Sequence, residues 1–195
     1  MRHTLSILVE NRYGELARIV GLFSARGYNI ESLTVAETLD QGISCVTLVT
    51  SGDDRTIEQI VKQVNKLVRV LHVADLTLES HFERELVLIN VKAESSAAMQ
   101  TVLSLVSRNH LRVAEVMEDG LIIEATGEWK HINSLVKELM PFGIRHIVRT
   151  GTVAVWKKPT AEVMSVAGTG NIGQEPAAQT NRDAVVRLPE EGNRL

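Results

Sequence analysis

Between His3 and Val35 the hydrophobic period changes from two to about 3.6 and back to two, and few folds accept that order in so short a span. Leu5, Ile7 and Val9 alternate with Thr4, Ser6 and Leu8, so each set lines one face of a strand. Asn11-Arg12-Tyr13-Gly14 is turn chemistry. Leu16, Ile19, Val20 and Phe23 then fall at i, i+3, i+4, i+7, one apolar stripe of a helix. Gly27 stands where a helix stop belongs, and Tyr28 to Val35 returns as a second strand. A helix that opens from a glycine-containing turn presents unpaired backbone N–H groups and the positive end of its dipole. Asn11 to Glu15 is therefore a candidate anion site, suited to the carboxylate of a small amino acid.

The same grammar continues. Asp40-Gln41-Gly42 precedes the β-branched run Ile43 to Thr50, which fits a hairpin with the preceding strand. Asp53 or Asp54 can cap a second helix with the stripe Ile57, Ile60, Val61, Val64, Leu67 and Val68. Val70 to Leu78 reads as a fourth strand. The order β-α-β-β-α-β in 78 residues is the ferredoxin-like unit. A second unit follows. Glu85 to Val91 is a strand, and Ser95 or Ser96 can cap a helix carrying Met99, Val102, Leu103 and Val106. Glu118-Asp119-Gly120 joins strands at Leu111 to Met117 and Leu121 to Ala125. Ile132, Leu135, Val136 and Leu139 mark a helix that Pro141 stops, and Ile144 to Trp156 closes the unit as one strand or two short ones. The duplication lies in pattern more than in letters. The second unit has Ala93-Glu94-Ser95-Ser96 where the first has its glycine turn, so only the first is expected to bind an effector. The expected architecture is α+β, with ferredoxin-like domains at 1–79 and 80–157 and a flexible tail at 158–195.

Composition excludes several function classes. A net charge of −3 leaves no electrostatic footprint for nucleic acid, and aromatic residues at 4% supply no base-stacking strand. One cysteine, Cys45, excludes an intramolecular disulfide and a cysteine-built zinc site. No apolar run approaches the roughly 20 residues of a membrane helix. The first strand begins within three residues of Met1, leaving no room for a leader, so cytoplasm is the expected compartment. Gly168-Thr169-Gly170-Asn171-Ile172-Gly173 matches a dinucleotide fingerprint in letters but lacks the strand before it and the helix after it. The six histidines are scattered, no nucleophile elbow occurs, and no acid–base pair is identifiable, so neither a catalytic nor a metal site is expected. Arg145, Arg149 and Lys157-Lys158 read as a solvated basic edge, and Ala184 to Leu188 is the one apolar patch of the tail.

Asn29, at the start of the second strand, strengthens the turn as a site. In an antiparallel two-fold pair, the Asn11 turn of one subunit could approach Asn29 of another. One asparagine would accept from an ammonium group and the other donate to a carboxylate. The N–H groups from Gly14 to Leu16 would take the remaining lone pairs, and Leu16 with Ile30 would form an apolar wall selecting an aliphatic side chain.

The run Leu8 to Val35 (LVENRYGELARIVGLFSARGYNIESLTV) closely resembles the N-terminal ACT domain of the small regulatory subunits of acetolactate synthase, also called acetohydroxyacid synthase. The resemblance continues through Gly52 to Val73, Glu83 to Val91 and Arg149 to Val155. It implies a subunit with no catalysis of its own and no cofactor of its own. Its partner would be a large catalytic subunit that uses thiamine diphosphate, Mg²⁺ and FAD. That enzyme condenses two pyruvates to 2-acetolactate, or pyruvate with 2-oxobutyrate, with loss of CO2. The small subunit would raise its activity and confer feedback inhibition by valine, in some members by leucine or isoleucine. The resemblance places the effector between two ACT domains of a homodimer. The matching positions are Asn11, Gly14 and Leu16 on one subunit with Asn29 and Ile30 on the other, and Glu15 belongs to the same turn. The chain departs from the family pattern at Cys45, where an arginine is usual, in Leu105 to Val116, and in the length of its tail. Two other readings stay open: a free-standing amino-acid-binding ACT protein regulating another enzyme or a transcription factor, and an interaction module with no effector.

Overall fold

The computed structural model describes residues 1–159 and 161–167. The first unit runs β1 (Arg2–Glu10), α1 (Glu15–Ala25), β2 (Ser32–Glu37), β3 (Ile43–Ser51), α2 (Asp54–Val64) and β4 (Val70–Asp75). The second runs β5 (His81–Lys92), α3 (Ser96–Arg108), β6 (Arg112–Met117), β7 (Gly120–Gly127), α4 (Trp129–Leu139), β8 (Ile144–Arg149) and β9 (Val153–Trp156), followed by α5 (Ala161–Val166). Two antiparallel sheets result, ordered β2-β3-β1-β4 and β6-β7-β5-β8, with β9 paired to the start of β5. This is the ferredoxin-like α+β arrangement expected, in tandem.

Each helix pair covers one face of its own sheet. Leu5, Ile7, Val46 and Leu48 pack under Ile19 and Phe23 of α1 and Ile57 and Ile60 of α2. Val87, Ile89 and Ile123 take the same part under α3 and α4. Caps fix where the helices start. The Asp53 carboxylate accepts from the Thr56 N–H, and hydrogen bonding from the Thr56 side chain, then from its N–H, holds the carboxyl below its usual range. Ser95 caps α3 through the Ala98 N–H.

Several boundaries differ from those the sequence indicates. The second strand starts at Ser32, because Tyr28 folds back: its N–H donates to the Phe23 carbonyl and its ring meets Phe23 edge-on at 6.0 Å. Helix α2 stops at Val64, the chain tightens through Leu67 N–H to Val64 O, and Val68 leaves the stripe with 94% exposure. The fourth strand stops at Asp75, whose carboxylate accepts from the Thr77 N–H and closes a 3-10 turn. β5 starts four residues early because His81–Arg84 pair with β9. The tail expected from 158 begins instead with α5, which packs on β4 and buries Val163. Gly168 to Gly173 and Ala184 to Leu188 lie outside the described residues.

The period-two alternation of β1 does not separate core from solvent. Cross-strand register places Thr4, Ser6 and Leu8 on the helix-free face with Val49, Thr47, Thr34 and His72. Thr4, Ser6, Leu8 and Val49 are nevertheless buried. The chain beyond β8 covers them. Thr150 and Thr152 meet Thr34, the Trp156 ring meets His72 at 6.2 Å, and α5 lies against β4. The corresponding face of the second sheet is more open, with Leu88 40% and Val148 50% exposed. Phe23 is fully buried, so Phe23→Ala should cost about 3–5 kcal/mol of unfolding free energy, read as a lowered urea midpoint at fixed protein concentration.

Candidate functional site

The turn after β1 is tied down before it offers anything to a ligand. Asn11 donates its backbone N–H to Gly42 O at 2.7 Å. Its side-chain Nδ2 donates to Glu37 Oε1 and to Gln41 O, both at 2.9 Å. The turn is thereby fastened to the β2–β3 hairpin. With both amide protons used, Asn11 has only its Oδ1 left, an acceptor with no partner among the described residues. Of the two asparagine roles, Asn11 thus fits the acceptor for an ammonium group, and donation to a carboxylate is left to Asn29.

Gly14 precedes α1 in the left-handed region, φ 85°, with no side chain to cap the helix and open space where a Cβ would stand. This backbone lets the chain turn directly into the helix, and the Gly14 carbonyl accepts from Arg18 N–H at 3.0 Å. The Leu16 and Ala17 N–H groups have no acceptor among the described residues. Leu16 is 40% exposed and Tyr13 fully so. An open, uncapped helix start with an apolar neighbour can accept a small carboxylate whose side chain is aliphatic.

Glu15 belongs to the turn but faces inward. Its carboxylate is 3% exposed, accepts from Arg18 Nη1 at 2.9 Å and lies 3.5 Å from Arg69 Nη1. A buried carboxylate held by two half-exposed guanidiniums fastens the helix start to the loop before β4. Arg18 stands at the i+3 position that helical spacing pairs with Glu15, whereas Arg69 is a neighbour that spacing alone could not single out. Asn29 and Ile30 lie in the loop after α1. Asn29 is exposed and its carbonyl accepts from Thr50 Oγ1 at 2.6 Å, while Ile30 is half-buried against the first core. One protomer does not bring the two groups together. The 11 residues of α1 put roughly 16 Å between its two ends.

The expected basic edge is solvated at Lys157 and Lys158, while its two arginines are paired with acidic groups. Arg149 Nη1 donates to buried Glu85 at 3.2 Å and Nη2 to Asn133 at 2.7 Å. Arg145 binds Asp119, and that hydrogen bond holds the carboxyl below its usual range. Arg149 also lines a cavity of about 310 Å³ between the sheets, with Arg2, Glu31, Leu33, Glu85 and Trp129. Cys45 is half-buried with Ser6 Oγ 3.8 Å away, and burial pushes its thiol up. Among the described residues no group of three His, Cys, Asp or Glu side chains is placed to hold a metal, and no helix is long and apolar enough to cross a membrane.

Residues 5–72 match the family described as AHAS small subunit-like ACT domain, and residues 84–158 match the one described as small subunit of acetolactate synthase. A probable acetolactate synthase small subunit of Archaeoglobus fulgidus is 42% identical over 155 residues, 80% of this chain and 96% of its own. The acetolactate synthase small subunit of Aquifex aeolicus is 45% identical over 154 residues, 79% of this chain and 80% of its own. The crystal structure of the acetolactate synthase small subunit from Thermotoga maritima superposes with a TM-score of 0.73 at 35% identity, covering 82% of this chain and 99% of that one.

Gly14→Ala should destabilise by about 1–2 kcal/mol from backbone strain alone, since nothing stands within 4 Å of the new Cβ, and Gly14→Asn by less. Equal denaturation midpoints for Gly14→Ala and wild type would show that the left-handed backbone is not required.

Proposed function

The chain belongs to the family of acetolactate synthase small subunits, and from that premise we propose that it is the valine-sensing regulatory subunit of that enzyme in the cytoplasm. The catalytic partner carries thiamine diphosphate, Mg²⁺ and FAD and joins two pyruvates into 2-acetolactate with release of CO2. This chain raises that activity and withdraws the stimulation when the end product accumulates. Residues 1–79 form the effector-binding ACT domain, and residues 80–157 the second domain.

One observation carries the effector reading: the uncapped start of α1 at Gly14, with free Leu16 and Ala17 N–H groups beside the free Oδ1 of Asn11. A zwitterionic amino acid presents a carboxylate and an ammonium group within one small span, and this turn offers a donor set and an acceptor. Leu16 provides the apolar contact for its side chain. Asn29 and Ile30 act from a second copy of the chain, since α1 separates them from the turn within one protomer. The site is completed in a homodimer of ACT domains. The amino acid inhibits because it binds the low-activity arrangement of the complex more tightly, typically by about 1–3 kcal/mol of coupling.

The test is acetolactate formation by the cognate catalytic subunit, with and without this chain, across a valine titration. Activation that valine reverses supports the proposal, and activation that only leucine or isoleucine reverses reassigns the effector. An unchanged rate with both proteins folded leaves a free-standing amino-acid-binding protein. Gly14→Asp puts a carboxylate where the effector's own should lie, and it should abolish valine inhibition while the complex still assembles. Normal inhibition of Gly14→Asp would place the site elsewhere.

A further inference from the structure

We propose that Thr150-Gly151-Thr152, the strap between β8 and β9, is the link through which an effector at the first sheet acts on the second, with the Thr34 hydroxyl as its fastening point. The proposal rests on the effector reading above and extends it to the path of the signal.

The strap is held at both ends. On the second sheet, Thr150 exchanges hydrogen bonds with Leu86 of β5: its N–H donates to Leu86 O at 3.0 Å, and its Oγ1 accepts from Leu86 N–H at 3.1 Å. On the first sheet, Thr34 Oγ1 lies 3.3 Å from Thr150 O and 3.4 Å from Thr152 O, and Thr152 N–H donates to Ser32 Oγ at 3.4 Å. Thr152 is 1% exposed and its Oγ1 accepts from Arg2 Nη2 at 2.8 Å. Arg2 in turn stacks over Trp129, the first residue of α4, at 5.0 Å. Gly151 has φ 83°, and a Cβ there would stand 3.1 Å from Ser32 Cβ, so a side chain at this position would crowd β2.

Position and bond length together give the strap its role. Ser32 and Thr34 belong to the strand that follows directly from Asn29 and Ile30. An effector that pulls on that loop displaces the start of β2. The two bonds with backbone N–H donors that join Thr150 to Leu86 are of ordinary length, 3.0 and 3.1 Å, whereas on the β2 side the single Thr34 hydroxyl proton is shared between two carbonyls at 3.3 and 3.4 Å and Ser32 accepts at 3.4 Å, so the β2 side is the weaker fastening. On this proposal the seam, fastened as the structure has it, is released when effector binding draws β2 away from the strap. The cavity beside the strap is lined by charges already paired with one another, Arg149 with Glu85 and Arg2 with Glu31, which makes it part of the same seam.

The experiment compares wild type, Thr34→Val and Thr34→Ser in two measurements: calorimetric valine binding to the small subunit alone, and maximal valine inhibition of the reconstituted complex. Thr34→Val should keep valine affinity within about twofold and lose more than half of the maximal inhibition, and Thr34→Ser, which keeps the hydroxyl, should behave as wild type. Gly151→Ala perturbs the strap from the opposite side and should reproduce Thr34→Val, and it carries the comparison if Thr34→Val does not fold. Full inhibition of the folded variants overturns the link. Equal loss in Thr34→Val and Thr34→Ser, or loss of binding together with inhibition, overturns it as well, because β2 would then belong to the effector site. A wild type that neither binds valine nor responds to it overturns the effector reading, and the link with it, whereas a responsive wild type with equally responsive variants overturns the link alone.

Discussion

A strand paired along both edges and covered on both faces cannot slip in register without breaking contacts on four sides. β1 is held in this way. β3 and β4 pair with its edges, α1 and α2 cover Leu5 and Ile7, and the chain beyond β8 covers the face of Ser6 and Leu8. A slip by one residue would exchange those two sets. Because β1 is fixed, its end is fixed, and the turn at Asn11 leaves the sheet at a defined point. The geometry of the proposed effector site therefore depends on the second unit as well as the first.

The two tandem units use the same topology differently. The first sheet has a covered second face and a glycine turn at its first helix. The second sheet leaves Leu88 and Val148 half exposed, and Ser95 caps its first helix by accepting from the Ala98 N–H. The Ser95 side chain takes one donor at the start of α3, the Ala98 N–H, whereas no side chain takes one at the start of α1.

Charge is handled with little waste. Glu15 and Glu85 are both buried carboxylates held by arginines that reach in from the surface. Neither ion pair is a strong source of stability once the cost of desolvation is included. Each instead ties one segment to another: Glu15 ties α1 to the loop before β4, and Glu85 ties β5 to β8. The family relationship and the tandem architecture place both ties in a protein whose proposed work is to transmit a change of position.

The order of elements, the two hydrophobic cores and the candidate turn were legible in the sequence, because period, turn chemistry and caps are local properties that a chain carries wherever it folds. Ile19, Phe23, Ile57 and Ile60 stand in the core as their spacing requires. The start of β5 was not legible, since its pairing with β9 joins distant segments, and Tyr28, Val68 and the end of β4 were not legible because short turns without a hydrophobic period end the elements there. The partners of the turn belong to the same class. Nothing in the spacing relates Asn11 to Glu37, Glu15 to Arg69, or Thr34 to Thr152 across 118 residues. The sequence by itself determined which segments become strands and helices and which turn lacks a cap. Tertiary structure alone decided which donors on that turn are already taken, and that the second face of β1 is covered by the end of the chain, because hydrogen-bond partners and burial depend on what the fold brings near.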